Sequence, residues 1–151
     1  MTRILFVCLG NICRSPLAEA AFRHQAGLAG LDIEIDSAGT GGWHVGNPPD
    51  PRSQAIALAN GVNISAQRAR QFSHEDFARF THIFAMDADN LADIRAMMPH
   101  DSGAHVGLFL DSVPGSEGAE VPDPYYGGED GFAEVWGMVS EAAKHLVREL
   151  G

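Results

Sequence analysis

Lysine is nearly missing from this 151-residue chain: its ten basic residues are all arginine except Lys144. A nucleotide-binding P-loop needs a lysine directly after its glycines, so that kind of phosphate site is excluded. Cysteine is almost as scarce. Only Cys8 and Cys13 occur, which rules out a disulfide scaffold and a four-cysteine zinc site. Positive charge is in deficit as well, with 10 Lys+Arg against 20 Asp+Glu and a net charge of −10. A protein that tracks nucleic-acid phosphates carries the opposite balance. Long apolar runs are also lacking. The opening stretch from Ile4 to Leu9 is too short for a signal-peptide core and far too short to cross a bilayer. These absences lead to the expectation of a reduced, cytoplasmic protein with neither a nucleic-acid nor a membrane partner. The seven histidines are scattered without ligand spacing, so no metal or other cofactor is expected. Gly39-Thr40-Gly41-Gly42 hints at a dinucleotide fingerprint but fails, because His44 stands where the third glycine belongs.

What is present has the balance of an ordinary globular protein, 45% hydrophobic and 20% charged. At this length a single domain, 1–151, is expected. Arg3–Leu9 reads as a strand buried on both faces, and Ser15-Pro16 as an N-cap with proline at the first helical position. Pro16–Ala29 then forms a helix ended by Gly30, and Leu31–Asp36 alternates like a half-buried strand. A Gly- and Pro-rich loop, Ser37–Pro51, follows. Further on come helices at Arg52–Ala59, Ser73–Phe77 and Ala88–Met98, strands at Thr81–Met86 and His105–Leu110, and a loop at Asp111–Gly128. A terminal helix is marked by Phe132, Val135, Trp136, Val139, Ala143, Leu146 and Leu150 at three- and four-residue intervals. Alternating strands and helices predict an α/β fold: a four-stranded parallel sheet, flavodoxin-like order 2-1-3-4, with helices on both faces. In such sheets ligands bind beyond the carboxyl ends of the strands, beside the first one.

That position is occupied by Cys8-Leu9-Gly10-Asn11-Ile12-Cys13-Arg14-Ser15. A cysteine and an arginine five residues apart can curl around one tetrahedral oxyanion. The backbone N–H groups of Leu9 through Ser15 then point inward as a nest, and the next helix adds its positive end. The same field stabilises a thiolate at Cys8. Arg14 supplies a planar fork able to hold two phosphoryl oxygens at once. Gly10 and Asn11 are residue types that tolerate the left-handed backbone of a tight cradle. Cys13 has two readings: a small packed residue, or a thiol close enough to Cys8 for redox exchange.

Together with Asp123-Pro124-Tyr125-Tyr126, this segment resembles the low-molecular-weight protein tyrosine phosphatases. The similarity extends through Ser37-Ala38-Gly39-Thr40, the loop from Gly42-Trp43 to Gly46-Asn47-Pro48-Pro49-Asp50, Ala69-Arg70-Gln71, and Met86-Asp87 with Asn90. The resemblance implies hydrolysis of phosphotyrosine proteins or small aryl phosphates, and a monomer is expected. Cys8 would form a phosphocysteine, Arg14 and the loop amides would hold the phosphoryl oxygens, and Asp123 would act as acid and then base. Ser15 would donate to the Cys8 thiolate. Asn11 and Ser37 match the residues that shape the cradle, and Gln67 stands where the family has a histidine. Trp43, Tyr125 and Tyr126 match positions flanking the substrate ring. Asp50, Arg52 and Asp87 are expected in supporting salt bridges or caps.

Three other functions compete with this one. An arsenate reductase of the same fold opens with the same Cys and Arg spacing but needs later cysteines, and none follows Cys13. A phosphate carrier on Cys8 would have no use for Asp123. A non-catalytic anion sensor would be marked by loss of Cys8, Arg14 or Asp123, and all three are present.

Overall fold

The computed structural model describes all 151 residues, apart from the side chain of Glu129. Strand β1, Arg3–Cys8, forms because Ile4, Leu5, Phe6 and Val7 are β-prone and have apolar neighbours on both sides; each is fully buried. It lies in a four-stranded sheet with β2 (Glu34–Gly39), β3 (His82–Ala85) and β4 (His105–Leu108), in the order β2-β1-β3-β4 and parallel throughout. This is the expected topology.

Side chains alternate across β1. Ile4, Phe6 and Cys8 enter the larger core, together with Leu17 and Phe22 of α1 (Arg14–Leu28) and Val135, Val139 and Leu146 of α5 (Glu129–Leu150). Leu5 and Val7 face the other way, into a core with Phe77 of α3 (Asp76–Arg79) and Ile94 of α4 (Ala88–Met97). The remaining helix, α2 (Pro51–Ala59), is capped by Asp50, whose side chain accepts the Arg52 N–H. No helix among the described residues is long and apolar enough to cross a membrane.

Several boundaries differ from those expected. β2 runs from Glu34 to Gly39, three residues later than the alternation suggests, because its register beside β1 pairs Arg3 with Glu34 and Cys8 with Gly39. Leu31 belongs instead to the stop signal of α1. Gly30 takes φ +70°, its N–H donates to Gly27 O, and the Leu31 N–H reaches back to Ala26 O at 2.9 Å. Ser15 is not an N-cap. The helix begins at Arg14 after Cys13, and Pro16 sits within the first turn, where its missing N–H has no intrahelical partner to lose. The expected Ser73–Phe77 helix lies at Asp76–Arg79, with the Asp76 carboxylate accepting the Ser73 N–H at 2.9 Å. β4 stops at Leu108, and Phe109–Ser112 tightens into a 3-10 turn.

The consequence for function is at the carboxyl end of the sheet. Gly39 passes directly beneath the loop after β1: a Cβ there would stand 2.7 Å from Leu9 O. Hydrogen bonds from Thr40 N to Cys8 O and from Gly41 N to Leu9 O, both 2.9 Å, tie the two segments together.

Candidate active site

Cys8 is the last residue of β1, and the chain then turns back to begin α1 at Arg14. The turn requires a left-handed residue, and Asn11 takes it at φ +58°. Its N–H consequently points at Cys8 Sγ, 3.2 Å away, and Ser15 Oγ lies 3.0 Å from the same sulfur.

The polarity of this cluster follows from donor counting. Asn11 Nδ2 donates to Ser15 Oγ at 2.8 Å and to Ser37 Oγ at 3.0 Å. With a lone pair so occupied, Ser15 can give its hydrogen to the Cys8 sulfur at 3.0 Å, a shorter contact than the competing one to Ala38 O at 3.4 Å. Ser37 passes its own hydrogen to Glu19 Oε1 at 2.8 Å, and Glu19 is braced by Arg23 at 2.7 Å. Burial pushes the Glu19 carboxyl up, against the hydrogen bonds from Arg23 and Ser37. The Asn11 carbonyl accepts the Arg70 N–H at 2.9 Å. The resemblance put Gln67 in this network. It is not there: Arg70 backbone fills that place, Gln67 Oε1 is buried without a partner, and Gln67 lines a separate cavity with Glu19 and Arg23.

Arg14 is buried to 3% side-chain exposure, with Nη1 on Asp87 Oδ2 at 2.6 Å and on Val121 O at 3.1 Å. Burial alone would lower its basicity, but Cys8, Asp87 and Asp123 outweigh that and raise it further. Nη2 faces Asp123 Oδ2 at 3.8 Å, and Asp123 Oδ1 accepts the Tyr125 N–H at 3.0 Å. Cys13 is buried, and its thiol is pushed up to about 12, mainly by burial and then by Asp50, Cys8 and Asp123. It is therefore a protonated thiol at neutral pH.

These groups meet at a cavity of about 330 Å³. Cys8, Leu9, Gly10, Ile12, Cys13 and Arg14 line its floor, and Asp123, Trp43, Tyr125 and Tyr126 its rim. Asn11, Ser15 and Ser37 stand behind the floor, as their bonds require. Trp43 is 72% exposed and Tyr126 95%. The indole lies over Gly41, where a Cβ would be only 1.8 Å from it. Sequence reasoning missed His44, a rim residue whose ring is 6.4 Å from that of Tyr125. It also missed Glu19, although the Glu19–Arg23 spacing is a legible helical ion pair. Asp50, Arg52 and Asp87 do form the expected caps and salt bridges.

Residues 3–151 match the family model described as low molecular weight phosphotyrosine protein phosphatase. The low molecular weight protein-tyrosine-phosphatase YfkJ of Bacillus subtilis is 45% identical over 152 aligned residues, 99% of this chain and 96% of the relative. A crystal structure of a protein tyrosine phosphatase from Entamoeba histolytica superposes with a TM-score of 0.94 at 36% identity, covering 99% of this chain and 97% of that one. A Drosophila arginine phosphatase superposes at 0.92 with 32% identity, covering 99% and 98%. The chain therefore belongs to the low molecular weight phosphotyrosine protein phosphatase family.

Proposed function

We propose that this chain, acting as one catalytic domain over residues 1–151, hydrolyses phosphotyrosine and aryl phosphates through a phosphocysteine. The observation that carries the reading is the convergence on one cavity of Cys8 Sγ, the Arg14 fork and the Asp123 carboxylate.

The chemistry follows from these positions. Asn11 N–H and Ser15 O–H hold the Cys8 sulfur as a thiolate aimed into the cavity. It attacks phosphorus in line while the loop amides and the outward Nη2 of Arg14 take the equatorial oxygens. A phenolate with a conjugate-acid pKa of about 10 leaves poorly unless protonated. Asp123, with Oδ1 held by the Tyr125 N–H and Oδ2 facing Arg14 Nη2, supplies the proton from Oδ2 once the substrate's negative charge has engaged Arg14. It then withdraws one from the water that cleaves the P–S bond, and Ser15 eases the thiolate's departure by donating to it. Trp43 and Tyr125 offer faces to a phenyl ring at the rim. All of these groups come from one chain, so a monomer suffices, and a reducing cytoplasm keeps the Cys8 sulfur reduced.

Hydrolysis of a phosphotyrosine peptide, with vanadate inhibition, tests the reading. Cys8→Ser should abolish turnover. Asp123→Asn should lower kcat/KM by about a hundredfold or more with phosphotyrosine, and far less with an activated aryl phosphate. Equal losses with both would remove Asp123 from its role. The likeness to an arginine phosphatase makes phosphoarginine the comparison substrate, and a higher kcat/KM for it would overturn the phosphotyrosine assignment.

A further inference from the structure

Arg52, the second residue of α2, makes more contacts than a capping salt bridge requires. Nε and Nη2 donate to Asp50 Oδ1 and Oδ2, both at 3.0 Å. The same guanidinium also reaches the loop that carries Asp123: Nη2 donates to Tyr125 O at 2.9 Å and Nη1 to Gly127 O at 3.1 Å. Its Cζ lies 4.4 Å from the centroid of the Phe132 ring, a cation–π contact. At the other end, Asp50 N donates to Ile12 O at 2.8 Å, so the start of α2 is fastened to the backbone of the Cys8–Arg14 loop.

Two bonds separate Arg52 from the Asp123 carboxylate. Arg52 holds the Tyr125 carbonyl, and the N–H of that same residue orients Asp123 Oδ1. The Asp123 side chain is 41% exposed, and little else fixes it. We propose that Arg52 is a positioning residue for the general acid: its fork spans the cradle side and the acid loop, and sets the height of Asp123 Oδ2 above Cys8. This inference rests on the reading of Asp123 as the acid. A lysine cannot replace Arg52, since one ammonium cannot serve a carboxylate and two carbonyls while stacked on a ring.

The test compares Arg52→Lys and Arg52→Gln with the unaltered chain on two substrates. Phenyl phosphate needs its leaving oxygen protonated, and 2,4-dinitrophenyl phosphate does not. We expect kcat/KM to fall at least about tenfold with the first and less than about threefold with the second. Vanadate affinity should stay within about twofold, because the Asp50 N–H to Ile12 O bond that holds the cradle loop is between backbone groups and survives the substitution. Added to Asp123→Asn, Arg52→Lys should cost at most about a further twofold, since the acid is already gone.

Equal losses on both substrates, full additivity with Asp123→Asn, or vanadate affinity falling in step with activity would each overturn the proposal in favour of a general structural role. An unaltered chain inactive on both substrates would instead overturn the phosphatase reading, and the proposal with it.

Discussion

Arg14 is held from behind by Asp87, Nη1 to Oδ2 at 2.6 Å, while its Nη2 faces Asp123 at 3.8 Å. Asp87 does this while its other oxygen caps α4 by accepting the Asn90 N–H at 2.8 Å. Asp87→Asn separates the two duties, since an asparagine oxygen still caps the helix. We expect a fall in kcat/KM of about tenfold to a hundredfold, less than deleting an oxyanion donor outright, with a lower Tm because the buried guanidinium loses its countercharge. Steady-state kinetics and vanadate affinity check this, and unaltered values would show that Arg14 needs no brace.

Asn11 is required for both its backbone and its amide. Asn11→Ala loses the donors to Ser15 and Ser37, the acceptor for Arg70 N–H, and the tolerance for φ +58°. We expect about 2–4 kcal/mol of destabilisation, measured by urea unfolding. Asn11→Asp keeps the left-handed turn but replaces two donors with acceptors. Ser15 would then direct its hydrogen at the new carboxylate and away from Cys8, so activity should fall more than stability does.

The cradle is legible in the sequence because it is local. Cys8 and Arg14 are joined by one short loop, and a buried strand before it with a helix after it fixes where both lie. The sheet order is also legible, since β-α alternation and right-handed crossovers leave few arrangements. The Arg14–Asp87, Asn11–Arg70 and Arg52–Tyr125 contacts are not. They join segments distant in sequence that meet only because β1, β2 and β3 end side by side. Asp123 was reachable only through resemblance: Asp-Pro is a common turn, and twenty acidic residues compete for the role. Gln67 went astray for the converse reason, because a shared position does not carry a hydrogen bond when a backbone N–H has taken the acceptor.

Oxidation of Cys8 should expose the character of Cys13. Peroxide converts the Cys8 thiolate to a sulfenic acid, its O–O bond breaking to release hydroxide. Attack by the Cys13 thiolate then forms the disulfide and expels hydroxide. Because the Cys13 thiol is pushed up to about 12, its thiolate is scarce at neutral pH. Closure should accelerate about tenfold per pH unit through the mildly alkaline range. Quenched-flow oxidation read by mass spectrometry measures this, and a rate independent of pH would contradict it.

Stability should fall in mild acid through His82. Burial, and then the facing His105, lower its affinity for a proton in the folded chain. Arg95, Asp111 and Glu149 share the same cavity. With the folded pKa below the unfolded value, the unfolded chain takes up the proton first as pH falls. Stability is therefore full above the unfolded value and is lost as pH drops through and below it. From about pH 7.5 to about pH 5.5, His82→Gln should lose less in Tm than the unaltered chain does. An identical loss would place the acid sensitivity elsewhere.

The most direct test of the phosphocysteine chemistry is to trap the intermediate. Rapid acid quench during turnover of a labelled aryl phosphate, followed by peptide mapping, should find phosphate on Cys8 and on no other residue. It should accumulate further when Asp123→Asn slows the attack of water on an activated substrate's phosphoenzyme. Turnover without any phosphoenzyme, or label on a residue other than Cys8, would contradict the account.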